Sequence, residues 1–380
     1  MATTKIVLVG EGSAEPTSGF RLVQEYFKDE NVTFYFGVRR SQEGLDQLNA
    51  ANSRAVANFP GRGMKTLNCP VSICNLSTFA VHQAIASNRL TPDAVLIVAT
   101  PPDTNGIRSA GTVNGPISTA LNSAKLVFVE EYPDLQIAKG APTIRPEQVV
   151  KVIPHQPAAF TALSRRPDEA DFTIAKHIAL LIPNGAAVQM GVGGIIDALS
   201  EVLCDKRNLK SISGAIGSAV RRLDEQGNLD PNHNIYGSAL VGDDNLINWA
   251  TDHPKVNLLG SNEIHNPKWI SKTPQFHSIN VGISVDLAGN INAESVGERK
   301  ISGKGGSPNF SKGAHFSSNG LSIFALRTDK GTTLVDHISR PTVQGQFVDC
   351  LVTEQGSVIL KGKTPEERAN LIKSIFINQP

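Results

Sequence analysis

Between Gly185 and Val202 the chain reads GAAVQMGVGGIIDALSEV: an apolar run, a turn with three glycines in four residues, then apolar residues at helical spacing. A strand passing straight into a helix is the structure this order demands. The turn directs the backbone N–H groups of Gly191, Val192, Gly193 and Gly194 to a helix N-terminus, where anions and developing oxyanions are stabilised. The same pattern opens the chain as VLVGEGSAEPTSGFRLV, which shares V-x-x-G-x-G with VQMGVG. An internal duplication explains the recurrence and predicts two similarly folded α/β halves.

Strands and helices alternate along the chain. Lys5–Gly10, Asn31–Phe36, Thr91–Thr100, Ala124–Val129 and Gln148–Ile153 read as strands, with FRLVQEYFKD a helix after the first. TPDAVLIVAT shows little alternation, as expected of a parallel strand covered by helices on both faces. At 380 residues the chain exceeds a single core, so two domains are expected, 1–165 and 166–380. Pro154–Asp171, rich in Pro, Ala and charge, is the candidate linker. Beyond it, ADFTIAKHIALLIPNG is a helix capped at Asn184 and Gly185. HSINVGISVDLAGNINAESVG reads as a strand, a turn at Ala288–Asn290 and a second strand, and Leu321–Leu326 and Val348–Gly356 as further strands. TPEERANLIKSIF closes the chain as a helix with Thr364 at its N-cap.

Lys and Arg number 36 against 35 Asp and Glu, so the charge balance gives no reason to expect nucleic acid or an acidic membrane as partner. Cys69, Cys74, Cys204 and Cys350 are too few and too scattered for a disulfide framework, and Cys69 and Cys74 read as buried, inert thiols. The chain starts directly into KIVLVG without an apolar leader, and no apolar run is long enough to span a membrane. A cytoplasmic protein is expected.

A ladder of motifs in fixed order narrows the reading. TPPDTNGIRSAG (Thr100–Gly111) and AKLVFVEE (Ala124–Glu131) lie in the first half. QMGVGGIIDAL, NEIHNPKWI, INVGISVDLAGNINAESVG, SGKGGSPNF and VTEQGSVILKGKTPEERANLI follow in the second. From about Lys5 to about Phe376 this ladder resembles the acetyl-CoA hydrolase/4-hydroxybutyrate CoA-transferase family. The resemblance implies two α/β domains with mainly parallel sheets, an acyl-CoA site in a cleft between them, and a homo-oligomer, with a dimer expected. Coenzyme A enters as part of the substrate. No permanent cofactor is implied, and no metal-ligand spacing is present.

Family transferases attack the thioester with a glutamate, making an anhydride and then a glutamyl thioester that conserves the thioester energy. LKSISGAIGSAVRRLDEQGNL fits the family's segment around that glutamate without a gap, but Gly214 stands at its position and Ser218 where an aspartate usually follows. The oxyanion half is therefore expected in Gly191–Gly194, with Gly193 and Gly194 catalytic, and the carboxylate half is missing. Glu130, at the end of AKLVFV, is a candidate general base or else a carboxylate bonded to loop amides. Pro101 and Asp103 are expected to line the substrate site, Asp103 by fixing its loop. Gly303, Lys304, Gly305 and Gly306 form a glycine loop suited to CoA phosphates, as are Lys361 and Lys363. Glu263, Glu294 and Glu354 are further carboxylates in family motifs. The histidines His155, His265, His315 and His337 read as satisfied surface or core residues.

Three functions fit. The first is direct transfer of the acyl group to an acceptor or to water, without a glutamyl-CoA intermediate. The second is a CoA-transferase using another glutamate with a carboxylate acceptor. The third is an inactive acyl-CoA-binding or partner subunit.

Overall fold

The computed structural model describes residues 4–28, 30–49, 51–60, 64, 67, 69–158, 165–329, 331 and 333–376. The chain divides into two compact units. Unit 1 comprises Met1–Ala162, Ser238–Asn262 and Ile301–Gly305; unit 2 comprises Leu163–Gly237, Glu263–Lys300 and Gly306–Pro380. The first break lies inside the Pro154–Asp171 segment, and two later segments count with unit 1, so neither unit is contiguous in sequence.

Unit 1 is built on a seven-stranded sheet in the order Val71–Ile73, Ser53–Phe59, Asn31–Val38, Thr4–Val9, Ala94–Ala99, Leu126–Glu131, Val149–Pro154. Every neighbouring pair is parallel. Alternate residues go to opposite faces. Val7, Val9, Phe34, Phe36 and Leu96 pack with Phe20 and Phe128, whereas Leu8, Tyr35, Val95 and Ile97 pack with Ile117 and Val129. Apolar cover on both faces is why Ala94–Ala99 is apolar and buried at all six positions.

Unit 2 has a six-stranded sheet in the order Lys210–Ser211, Ala187–Met190, Phe276–Val281, Leu321–Ala325, Cys350–Thr353, Gly356–Ile359. All pairs are parallel except the last. In both sheets the first strand of the unit has its successor on one side and the later strands on the other. That reversal is the topological switch point, where loops beyond the strands' carboxyl ends part and leave room for a ligand. The two V-x-x-G-x-G segments lead out of these two equivalent strands, Thr4–Val9 and Ala187–Met190.

Some elements differ from the sequence reading. The helix after the linker is Glu169–Leu181, with Ile182 at its C-cap; Pro183 follows, and Gly185 takes φ +76° as part of a separate turn. Val348–Gly356 is not one strand. The chain turns after Thr353 and returns antiparallel from Gly356, whose φ of +142° is open to glycine. The segment after Gly214 is more regular than a loop, with a helix over Ser218–Glu225. The closing helix, Pro365–Ser374, has a full capping box between Thr364 and Glu367.

Candidate functional site

In unit 2, the loops leaving two neighbouring strands are tied together. Ala187 and Val188 pair with Lys210 and Ser211, Ile212 N–H donates to Val188 O, and Met190 N–H donates to Ser213 Oγ at 3.1 Å. The turn Gly191–Gly193 and the bend at Gly214 therefore leave the sheet side by side. Beside them Asn280, near the end of the next strand, donates from Nδ2 to Gln189 Oε1 at 3.2 Å.

Gly193 is the N-cap of the helix Gly194–Val202, with φ +136° and ψ 169°, a backbone that side-chain-bearing residues rarely adopt. A Cβ at Gly191 or Gly193 would meet nothing within 4 Å. Among the described residues no side chain accepts from the N–H groups of Gly191–Gly194. Gly194 is closed in by the Asp171 carboxylate, 2.6 Å from where its Cβ would stand. Asp171 is already held by Arg165 at 2.8 Å and Arg327 at 2.9 Å.

Gly214 faces a histidine. A Cβ there would lie 2.9 Å from His265 Nε2 and 3.5 Å from the Phe310 ring. His265 is 4 % exposed and stands between the short helices Ser261–Ile264 and Pro267–Ile270. Its ring lies 5.2 Å from that of Phe310, which stacks in turn on Phe276. Burial pushes the imidazole pKa down to about 3, so it is neutral. The histidine reading misses this residue: His155 and His315 are satisfied by Glu130 and Asp349, whereas Nδ1 of His265 is buried with no hydrogen-bond partner among the described residues.

In unit 1, Glu130 ends its strand fully buried and is saturated with donors. Its oxygens accept from the N–H groups of Thr17 (2.9 and 3.0 Å), Ser18 (2.9 Å) and Gly19 (2.7 Å), and from His155 Nδ1 (2.8 Å). Burial alone would raise its pKa. The His155 bond and the three backbone donors outweigh it and hold the carboxyl below its ordinary range. The carboxylate sits on the first turn of the helix Gly19–Tyr26, as an anion would. This is the amide-bonded alternative of the sequence reading. Glu15 is likewise engaged, by Arg39, Arg40 and the N–H groups of Arg40 and Ser41.

Asp103 shapes its own loop, accepting through Oδ1 from Asn105 and Ile107 N–H, both at 2.9 Å. Pro101 lies in the same loop, directly after the strand on the far side of the unit 1 switch point. The GKGG segment owes two glycines to packing. A Cβ on Gly303 would stand 2.6 Å from Cys74 O, and one on Gly305 2.7 Å from the Phe59 ring. Gly303 N–H donates to Asn58 O, and Gly305 O accepts from Thr78 N–H. Gly306 counts with unit 2, where its Cβ would meet His265.

The remaining carboxylates and lysines are mostly spoken for. Glu294 pairs with Lys300 at 2.9 Å, and Glu354 accepts from Thr328 N–H and Oγ1. Lys361 donates to the carbonyls of His315 and Gly320, which ties its ammonium to the fold rather than to CoA phosphates. Among the described residues no group of three His, Cys, Asp or Glu is placed to hold a metal ion. No helix among them is long and apolar enough to cross a membrane.

Residues 242–377 match the family model of the acetyl-CoA hydrolase/transferase C-terminal domain. The chain is 30% identical over 311 residues to 4-hydroxybutyrate coenzyme A transferase from Clostridium kluyveri, covering 78% of this chain and 72% of that protein. RipA from Yersinia pestis has the same fold, with a TM-score of 0.85 at 22% identity over 99% of this chain and 91% of that one. A 4-hydroxybutyrate CoA-transferase from Porphyromonas gingivalis gives a TM-score of 0.77 at 20% identity, over 98% and 90%.

Proposed function

Because this chain belongs to the acetyl-CoA hydrolase/transferase family, we propose that it binds an acyl-CoA and passes the acyl group directly to an acceptor or to water, without a glutamyl-CoA intermediate. One observation carries the reading. The open turn Gly191–Gly193 lies beside a bend whose residue, Gly214, has no side chain and faces a neutral imidazole instead of a carboxylate.

The chemistry balances without a covalent enzyme intermediate. The acceptor, H–X, attacks the thioester carbonyl carbon, and the oxygen takes up negative charge. The N–H groups at Gly191–Gly194 hold that charge, each worth roughly 3–4 kcal/mol in comparable sites. The C–S bond then breaks and the CoA sulfur leaves, taking the proton that H–X gives up. We assign Lys304 and the glycines around it to the CoA phosphates, and the Pro101–Asp103 loop to the substrate. Glu130 we assign to holding the Thr17–Gly19 turn, since its lone pairs are already occupied. The reading also keeps the chain in the cytoplasm, where CoA thioesters are at hand and thiols stay free.

The second function, a transferase with a carboxylate acceptor, needs a carboxylate able to attack. Glu130, Glu294 and Glu354 are each bonded to other groups. Borohydride treatment of the protein mixed with an acyl-CoA, followed by peptide mass spectrometry, separates the two. We expect no reduced glutamate. A reduced product at Glu130, Glu263, Glu294 or Glu354 would restore the transferase. Absence of turnover with any acceptor, despite acyl-CoA binding, would leave the inactive binding subunit. Gly214→Glu is expected to give no adduct, because its side chain would run into the His265 ring.

A further inference from the structure

Among the buried polar side chains of unit 2, His265 is one that the chemistry above does not use and that borders the Gly214 bend. Burying an imidazole that makes no hydrogen bond to the fold is unfavourable, and a protein retains such a ring when a ligand supplies a bond to it. Nδ1 is buried and has no partner among the described residues. An unmatched lone pair costs less than an unmatched N–H, so the neutral ring carries its proton on Nε2. The Nε2 edge faces glycines from two separate segments. A Cβ on Gly214 would stand 2.9 Å from Nε2, and one on Gly306 would stand 3.1 Å from it. Neither glycine has a positive φ, so backbone conformation does not call for glycine at either position. Clearance for the ring edge does.

Phe310, itself stacked on Phe276, backs the imidazole with an apolar wall, which keeps it neutral and leaves its Nε2 edge turned toward the two glycines. Through the Met190–Ser213 link, the Gly214 bend and the Gly191–Gly193 turn share the same end of the sheet. We infer that His265 Nε2–H is a substrate-facing hydrogen-bond donor, which takes the acyl oxygen of the CoA thioester at the ring edge bordered by Gly214 and Gly306. This rests on the acyl-CoA reading above. A neutral donor suits an acyl oxygen, since it polarises the carbonyl without supplying a charge that must first be desolvated.

Acetyl-CoA and CoA differ by the acyl group alone, and together they test the inference on the full chain. Long-range 1H–15N spectra of the histidine side chains should show the His265 Nε2 resonance moving with saturating acetyl-CoA and staying in place with CoA. Acetyl-CoA binding with His265 unmoved would overturn the donor role and leave the proposed function standing. Failure of both compounds to bind at millimolar concentration would overturn both. Calorimetric titration gives the second arm. His265→Phe, which keeps a ring but removes the donor, should weaken acetyl-CoA about 10-fold and leave CoA unchanged. His265→Gln, which places an N–H near Nε2, should recover most of that loss. The melting temperature of His265→Phe should equal or exceed that of the natural chain, because an unbonded polar atom is removed from an apolar site. A lower melting temperature with unchanged acetyl-CoA affinity would mark the histidine as structural and overturn the inference.

Discussion

The two strand–glycine-turn–helix segments begin alike and end differently. In unit 1 the first turn of the helix Gly19–Tyr26 is occupied from within, because Thr17, Ser18 and Gly19 give their N–H groups to Glu130. In unit 2 the turn before Gly194–Val202 has no such acceptor among the described residues, and the Asp171 carboxylate beside Gly194 is held by two arginines. Both turns carry the same partial positive charge. What separates a structural turn from a candidate site is whether the protein supplies the anion itself.

The comparison is most exposed at Gly193. A β-branched residue there cannot adopt φ +136° without strain, yet a Cβ would meet no neighbour. Gly193→Val should leave the fold intact and lower kcat/KM by about 10²- to 10³-fold through loss of donor alignment. Unchanged steady-state kinetics would remove the oxyanion role from unit 2.

Glu130→Gln probes the filled turn. We expect a stability loss of about 2–4 kcal/mol in urea unfolding at pH 7, with any loss of rate following the unfolded fraction. The carboxyl is held below its ordinary value of 4.5, so its contribution is complete above that pH and fades as pH falls through the lowered folded value. The gap between the natural chain and Glu130→Gln should therefore narrow on acidification below about pH 4. A rate loss of 10²-fold in a fully folded variant would return Glu130 to proton transfer.

Gly10→Ala, at the first glycine of V-x-x-G-x-G in unit 1, places a Cβ 2.8 Å from Ile97 Cγ1 and 3.3 Å from Ile97 Cα. Thermal unfolding should show about 1–3 kcal/mol of destabilisation. The matched change in unit 2, Gly191→Ala, meets open space at an ordinary φ, and should alter stability by no more than about 1 kcal/mol in either direction. Equal costs at the two positions would erase the distinction between filled and open turns.

Much of the fold is legible along the chain. Five of the seven unit 1 strands are read from their continuous or alternating apolar residues, whereas Ser53–Phe59 and Val71–Ile73 pass unnoticed because Arg54 and Pro70 interrupt the signal. The recurrence of V-x-x-G-x-G marks the two switch-point strands correctly because a glycine turn at a strand's end is a local requirement. The candidate site is less legible. Glu130 looks like a base at a strand end, and the backbone donors that occupy it lie 111 to 113 residues earlier. His265 resembles its fellow histidines until their partners are known.

Strand order of apolar and polar residues, turn glycines and helix caps act between neighbours in the chain, so an α/β fold with a glycine turn at each switch point follows from local chemistry. Hydrogen-bond satisfaction does not. Whether a turn's N–H groups meet Glu130 or stay open, and whether an imidazole finds an acceptor or faces two glycines, depends on segments brought together from far along the chain. Only the packed structure assigns those partners, because burial is what makes an unpartnered polar atom costly enough to mean something.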